Sequence, residues 1–414
     1  MPEVKEFKVD NSDPSRGKMK INMAVTGLGI PPIKITPSGL PSVDEDALHQ
    51  LAGSPKKGKY GKAYDYFNDI GQAEFGKELC EALETLVEYR NTETLLLTFI
   101  QPLQTFPDQQ ERIHCSLNIN TETGRLSARK PNLQNQPALE KDVYKIRSAF
   151  TVEKGNKLIV ADYGQLELRV LAHLTNCEGM IKAFKEGGDF HSRTAIGMFD
   201  YIRKEIEGGT LLLEWDKSKG TAPFPLLKEK YAAERRKAKT VNFSIAYGKT
   251  AQGFAEDWNC SIEEAKNVIR AWFKDRPEVE EWQKHKQEIA KKEKVTQTLL
   301  GRYRSLDRYF STNNFKGSLI GMGLRRAINT PIQGGAADIV IAAMVNIHKN
   351  QQLKQLGWKL LLQIHDELIL EGPEQTADQA LEIVKYEMSH PFPEPLKLEL
   401  EIDAKLGTTW YECK

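Results

Sequence analysis

The stretch QIHDELIL, Gln363 to Leu370, constrains the fold more than any other part of this chain. Leu360, Leu361, Leu362 and Ile364 precede its centre and Leu368, Ile369 and Leu370 follow it, so it reads as a buried strand. Yet His365, Asp366 and Glu367 stand in the middle. Burying an unpaired carboxylate costs several kcal/mol or more, so a fold that places two side by side must supply positive charge. Apolar residues on both sides exclude a capping role and put Asp366 at a hairpin tip. Side chains alternate across a strand, so Asp366 and Glu367 face one point only if the turn is sharp; otherwise one of them is the better ligand.

A second carboxylate matches it. In LIVADYGQLELR, Asp162 ends a short apolar strand just before a helix, where it could cap that helix or project into a cleft. Two aspartates from two strands suit divalent metal, and ions roughly 3.5 to 4 Å apart stabilise the attacking and leaving oxygens of phosphoryl transfer. The helix-like AAERRKAKTVNFSIAYG carries Arg235, Lys239, Phe243 and Tyr247 four residues apart, on one stripe. A solvated charged face is the usual fate of such a helix, but rings beside cations also suit a nucleotide whose base stacks while its phosphates pair. In RRAINTPIQGGAADIV the small residues Gly334 to Ala337 read as the opening of a helix. They permit either close helix packing or the approach of a ligand, with Arg325, Asn329 and Gln333 as polar groups for phosphates and minor-groove acceptors.

The remainder is ordinary for a large protein of two or three lobes: 414 residues, 40% hydrophobic, 28% charged, net charge +1. Global charge therefore announces no nucleic-acid partner, and basic surface must be local. Five scattered cysteines without C-x-x-C spacing argue against a zinc site or disulfide framework and for a reducing compartment. No apolar run approaches a membrane span, and MPEVKEFKVDNSD is too acidic for a targeting peptide. Residues 1 to about 60 are breaker-dense and loop-heavy. FGKELCEALETLVEYRNTETLL reads as one or two amphipathic helices, EGGTLLLEWDKSKGTAPFP as an inserted loop, and both KLLLQIHDELILEG and LKLELEIDAKLG as strands. Strands early, helices in the middle and strands again late describe a sheet lobe interrupted by a helical lobe.

Taken together the motifs are specific. DYGQLELR (Asp162 to Arg169), RRKAKTVNFSIAYG (Arg235 to Gly248) and HDE (His365 to Glu367) resemble motifs A, B and C of family A DNA polymerases, in order. TGRLSARKPNLQN (Thr123 to Asn135) and NTPIQGGAAD (Asn329 to Asp338) resemble two further blocks, so the likeness runs from about Glu74 to the C-terminus. Gly164, the LLLEW insertion and GDFHSRTA look most like the plant organellar members. The resemblance implies an α+β right-hand polymerase fold with an antiparallel-sheet palm, helical fingers and a partial helical thumb. Its expected divisions are 1–110 partial thumb with a loop-rich insertion, 111–175 palm, 176–325 fingers with an insertion near 200–232, and 326–414 palm again, with no 3′–5′ exonuclease domain.

It also implies roles. Asp162, Asp366 and Glu367 would be catalytic, with Asp162, Asp366 and Tyr163 on two Mg²⁺ ions that Mn²⁺ can replace. His191, Arg235 and Lys239 would meet the triphosphate, with Gln165 in the same nucleotide site. Phe243 would stack on the nucleotide, Tyr247 hold the templating site and Glu167 exclude a 2′-hydroxyl. Arg125, Asn135, Arg325, Asn329, Gln333 and His365 would contact primer-template DNA. The implied partners are DNA, dNTPs and an organellar helicase or primase, with no membrane; the implied state is a monomer in mitochondrion or plastid. The early block matches the family's thumb poorly and resembles an insertion over residues 20 to 60. Two other readings are a binding protein that keeps the fold without activity and a single-subunit RNA polymerase, which Glu167 opposes.

Overall fold

The structure, a computed structural model, describes residues 3–9, 19–36, 38–137, 142, 144–187, 189–215, 220–258, 260–310 and 317–414. Parts of the expected N-terminal loops and of the insertion near 200–232 lie outside those residues, as do residues 311–316. The chain divides into two compact units, Met1–Arg112 and Ile113–Lys414.

The first unit is more regular than its breaker-rich sequence suggests. Strands β1 (Glu3–Val9) and β2 (Met19–Val25) pair antiparallel over seven residues, from Glu3 opposite Val25 to Val9 opposite Met19. Asp44 starts helix α1 (Glu45–Ala52) by accepting from Ala47 N at 2.9 Å, the expected effect of an Asp before an apolar repeat. Helices α2 (Lys62–Asp69) and α3 (Ala73–Leu95) pack through Phe67 and Phe75, edge to face at 4.7 Å. Gly76 allows that approach, because a Cβ there would stand 3.1 Å from Phe67 Cβ. The amphipathic stretch from Glu74 is thus one helix that continues through a π turn, Leu96–Ile100, into Gln101–Gln104.

The second unit is α+β. A small hairpin, β3 (Ser116–Asn118) and β4 (Ser127–Arg129), precedes the central strand β5 (Asn156–Tyr163). Helices then intervene: α4 (Leu166–Thr175), α5 (Phe190–Met198), α6 (Ala232–Ala246), α7 (Ile262–Lys274) and α8 (Pro277–Glu293) among them. A short hairpin, β6 (Val295–Gln297) and β7 (Tyr303–Ser305), and the long α9 (Gly317–Lys349) lead back to β8 (Lys359–Ile364), β9 (Glu367–Pro373), helix α10 (Ala377–Ser389) and β10 (Ile402–Gly407). The four-stranded sheet has the order β8-β9-β5-β10, with every neighbour antiparallel.

Period-two alternation decides what this sheet presents. Ile159, Ala161 and Tyr163 of β5 join Leu368 and Leu370 of β9 in a core closed by α9 and α10, while Leu158, Val160 and Ile369 pack with Trp410 and Cys413 on the other face. Each large apolar side chain so buried contributes about 1.5–3 kcal/mol.

Three expectations change. The stretch before His365 is an edge strand whose Leu361 is 46% exposed, because β8 has a neighbour on one side only. In LKLELEIDAKLG only Ile402–Gly407 is strand, since β5 has no length left to pair with the residues before Ile402. The glycines of QGGAAD lie inside a 33-residue helix that runs through Pro331 rather than opening one. By length and composition α9 could cross a membrane, but 67% of its apolar window is buried in the protein. Tertiary packing overrides the local breakers: a Cβ on Gly334 would meet Thr298 Cγ2 at 2.4 Å, and one on Gly335 would meet Val170 Cγ1 at 3.0 Å. Helix packing therefore accounts for the small residues. Beside them Asp338, 3% exposed, receives Arg302 at 2.6 Å and Leu300 N at 2.9 Å, an ion pair that the sequence alone did not suggest.

Candidate active site

His365 and Asp366 form a two-residue turn between Ile364 and Glu367, the tight connection that allows neighbouring acids to share one side. His365 takes φ 53, the left-handed region that such turns demand. Asp366 is thereby held at the tip, where its carbonyl accepts from Tyr163 N at 3.2 Å. Register places Glu367 of β9 directly opposite Asp162 of β5, with Asp403 of β10 opposite Asp162 on its other side. Like charges facing one another across strands repel. Asp162 belongs to the strand, and Gln165, at φ 54, occupies the N-cap position of α4, so Asp162 is not a cap.

The positive charge required by QIHDELIL comes from two residues. Lys414 Nζ pairs with Glu367 and lies 3.3 Å from Asp162 Oδ2, while Trp410 Nε1 donates to Glu367 Oε1 at 2.9 Å. Arg125 pairs with Glu167 in the first turn of α4, and its Nη2 lies 3.9 Å from Asp366 Oδ1. This compensation is incomplete. Burial, with Asp162 adding repulsion against the help of Arg125, raises the Asp366 carboxyl above its ordinary value. Burial likewise raises Glu367 despite Lys414, and it pushes Glu167 up to about 7 against the opposing pull of Arg125. Among the described residues no three Asp, Glu, His or Cys side chains form a metal cage. One or two carboxylates are enough to hold a Mg²⁺ ion whose shell water or phosphate completes.

The stripe on α6 behaves differently. Arg235, Lys239, Phe243 and Tyr247 all line a cleft of about 850 Å³, which Arg325 and Asn329 border from α9. Phe243 and Tyr247 are stacked with centroids 5.9 Å apart. The helix ends there because Gly248, at φ 67, donates to Ile245 O at 3.0 Å and Lys249 donates to Ser244 O at 2.8 Å, the Schellman arrangement. Arg235 forms a bidentate pair with Asp189 at 2.6 and 2.9 Å, whereas Lys239 has no carboxylate partner among the described residues. Asp189 also caps α5 through Ser192 N at 2.8 Å. His191, 3% exposed, lies behind the cleft with its ring 5.5 Å from Phe243. Burial, with Arg235 and Lys239 adding to it against Asp189, lowers His191 to about 4.

The remaining candidates divide. Among the described residues, Asn329 Oδ1 and Gln165 Oε1 are buried without a partner. His365 and Asn135 are exposed and Gln333 half-buried. Tyr163 turns its side chain into the core, where its hydroxyl donates to Met388 O at 2.8 Å, so only its backbone remains for a ligand. Arg125 lies on the carboxylates themselves. Sequence reasoning missed Lys414, Trp410, Asp189 and Gln134; Gln134 donates to Gln363 O at 3.2 Å beside the hairpin. Only Asp189 carried a local signal, an Asp just before a helix.

The model of DNA polymerase family A matches residues 21–210 and 222–412. DNA polymerase I A, chloroplastic, from Oryza sativa subsp. japonica is 47% identical across 100% of this chain and 44% of its own length. DNA polymerase I B, chloroplastic/mitochondrial, from Arabidopsis thaliana is 45% identical across 100% of this chain and 45% of its own. The thermostable DNA polymerase I of Thermus aquaticus is 34% identical over 89% of the chain. Among solved structures, the POL domain of Pol1 from M. smegmatis, in complex with DNA primer-template and dNTP, matches 93% of this chain and 59% of its own with TM-score 0.69 and 29% identity. The chain spans less than half the length of the curated relatives it matches. By its motifs, its α+β polymerase fold and the extent of these matches, the chain belongs to DNA polymerase family A.

Proposed function

We propose that this chain carries template-directed DNA polymerase activity, adding deoxynucleotides to a primer 3′-hydroxyl. The supporting observation is that one unit holds two strand-end aspartates, Asp162 and Asp366, together with a cleft where Arg235, Lys239 and Phe243 share a helix face. In the reaction a bond forms between the primer 3′-oxygen and the α-phosphorus as the bond to pyrophosphate breaks. The demands are alignment and charge stabilisation rather than covalent catalysis. Asp162 and Asp366, with the Tyr163 backbone carbonyl, would hold Mg²⁺, or Mn²⁺ in its place. Two such ions, when bound, supply charge stabilisation at the attacking and leaving oxygens.

The chain's own groups would do the rest. Lys239 and Arg235 meet the triphosphate, Arg235 by exchanging or sharing its hold on Asp189, while His191 contributes a further phosphate contact and Gln165 borders the nucleotide. Phe243 stacks on the nucleotide and Tyr247 guards the templating position. Glu167, fixed by Arg125, stands where a 2′-hydroxyl would intrude. Arg325, Asn329 and Gln333 on α9, with Asn135, His365 and Arg125, contact the primer-template through phosphates and minor-groove edges, so binding is sequence-neutral. In this reading 111–175 and 326–414 are palm, 176–325 fingers and 1–110 a partial thumb. The names of the plant relatives support service in a plastid or mitochondrion; a role in replication and repair, as a monomer beside a helicase or primase, completes the reading.

The test is extension of a labelled primer on a DNA template with dNTPs and Mg²⁺, beside Asp366→Ala. Extension by the native chain alone supports the reading. If neither extends while both bind primer-template, a binding role replaces it.

A further inference from the structure

Behind the cleft, one amide joins three helices. Asn242 of α6 is fully buried, as are its neighbours Trp272 of α7 and Thr194 of α5, which are 4% and 5% exposed. Trp272 Nε1 lies 2.8 Å from Asn242 Oδ1, and an indole N–H can only donate. The carbonyl end of the amide must therefore face Trp272. This fixes the NH₂ end toward His191 Nδ1, at 3.0 Å, while Thr194 Oγ1 lies between the two ends, 3.1 Å from Nδ2 and 3.2 Å from Oδ1. Thr194 can send its own proton to Phe190 O, at 3.0 Å, and keep a lone pair for the amide.

The consequence falls on the histidine. An NH₂ group only donates, so His191 Nδ1 must be the unprotonated, accepting nitrogen. We propose that Asn242, oriented by Trp272, is a positioning residue that fixes His191 as the neutral imidazole carrying its proton on Nε2. His191 then offers a nucleotide phosphate a directed hydrogen bond rather than a charge. Protonating Nδ1 would set two donors head to head at 3.0 Å between buried residues. The charged groups around the ring act in both directions: Asp189, at the start of its own helix, favours the cation, and Arg235 and Lys239 of α6 oppose it. Nε2 meets no hydrogen-bond partner among the described residues, so it is the nitrogen left for a ligand. The inference rests on the reading of His191 as a phosphate contact only for this last step; the tautomer follows from the protein alone.

The test is ¹⁵N–¹H long-range NMR on the full chain labelled at histidine nitrogens, with His191→Gln to assign the signal. The expected result is one tautomer, with Nδ1 bare and Nε2 protonated, unchanged between about pH 5 and 8. Asn242→Asp replaces the donor by an acceptor and should move a proton onto Nδ1. Trp272→Phe, a gentler change, frees the amide to rotate and should give mixed tautomers. With the competent form then near half its population, apparent dNTP affinity should fall about twofold, seen as a rise in KM larger than any fall in kcat. A native ring that is mixed or protonated on Nδ1 overturns the proposal, as does Trp272→Phe leaving the tautomer untouched. Titration with dATP separates the two ideas: a fixed tautomer whose Nε2 signal ignores dATP keeps the proposal and removes His191 from phosphate binding.

Discussion

At the ends of β5 and β9 and the start of α4, four acids, Asp162, Glu167, Asp366 and Glu367, meet two cations, Arg125 and Lys414. Along α6 Arg235 pairs with one acid, Asp189, while Lys239 has no carboxylate partner among the described residues. Each region is left with surplus charge of one sign; at the acids burial makes that surplus costly, whereas Lys239 is exposed. The means differ. The acids are set by strand register and a two-residue turn and come from segments far apart in the chain. The cations are set by the four-residue phase of a single helix. On the proposed reading, metal would complete the corner of acids and phosphate the cleft of cations, as the two halves of one nucleotidyl-transfer site.

This contrast can be broken at either end. The largest effect is expected at Asp366, where Asp366→Ala removes a carboxylate that no neighbour can replace. Primer extension should fall by at least about 10³-fold, or about 4 kcal/mol in the barrier, while the thermal midpoint stays or rises because repulsion with Asp162 is relieved. A residual rate near native would remove Asp366 from the metal site.

Next comes the buried acid Glu167. Its carboxyl ordinarily titrates at 4.5 and in the folded chain at about 7. Between those values the folded state holds the extra proton, so its stabilising effect is full below the lower value and is lost as pH rises through the upper one. Metal-free stability should drop by up to about 3 kcal/mol over that window, and Glu167→Gln should flatten the drop. Urea unfolding at several pH values checks it, and a slope unchanged by Glu167→Gln counts against the assignment.

On the cationic side, Arg235→Ala strips Asp189 of its bidentate partner at the start of α5. It should cost about 1–2 kcal/mol of stability, whereas Lys239→Ala should stay within about 0.5 kcal/mol. Both should weaken dNTP binding, so a comparison of unfolding with KM separates the held cation from the free one. The smallest effect is expected at Phe243. Phe243→Tyr should leave extension intact and ease dideoxynucleotide incorporation, by about 1 kcal/mol in selectivity, read from chain-termination ladders.

Much of this was legible without coordinates. The stripe Arg235, Lys239, Phe243, Tyr247 follows from helical phase, which depends only on neighbours in the chain, and all four line the cleft. The tip position of Asp366 follows from acids framed by apolar residues, since a hairpin turn is what lets such acids leave the core. Family motifs carried the remaining roles. What the sequence left open is where distant segments meet. No spacing rule connects Lys414 to Glu367, Arg125 to Glu167 or Trp272 to Asn242, because these contacts are set by how strands register and helices cross. The glycines of QGGAAD could equally have served a ligand or a packed helix until Thr298 and Val170 were found against them. Local chemistry along the chain therefore determined which groups are charged and which face they share. Tertiary structure decided which of those charges are answered, because compensation depends on distance in space, and through burial it raises the carboxyl pKa of Glu167 and Asp366 and lowers the pKa of the His191 ring.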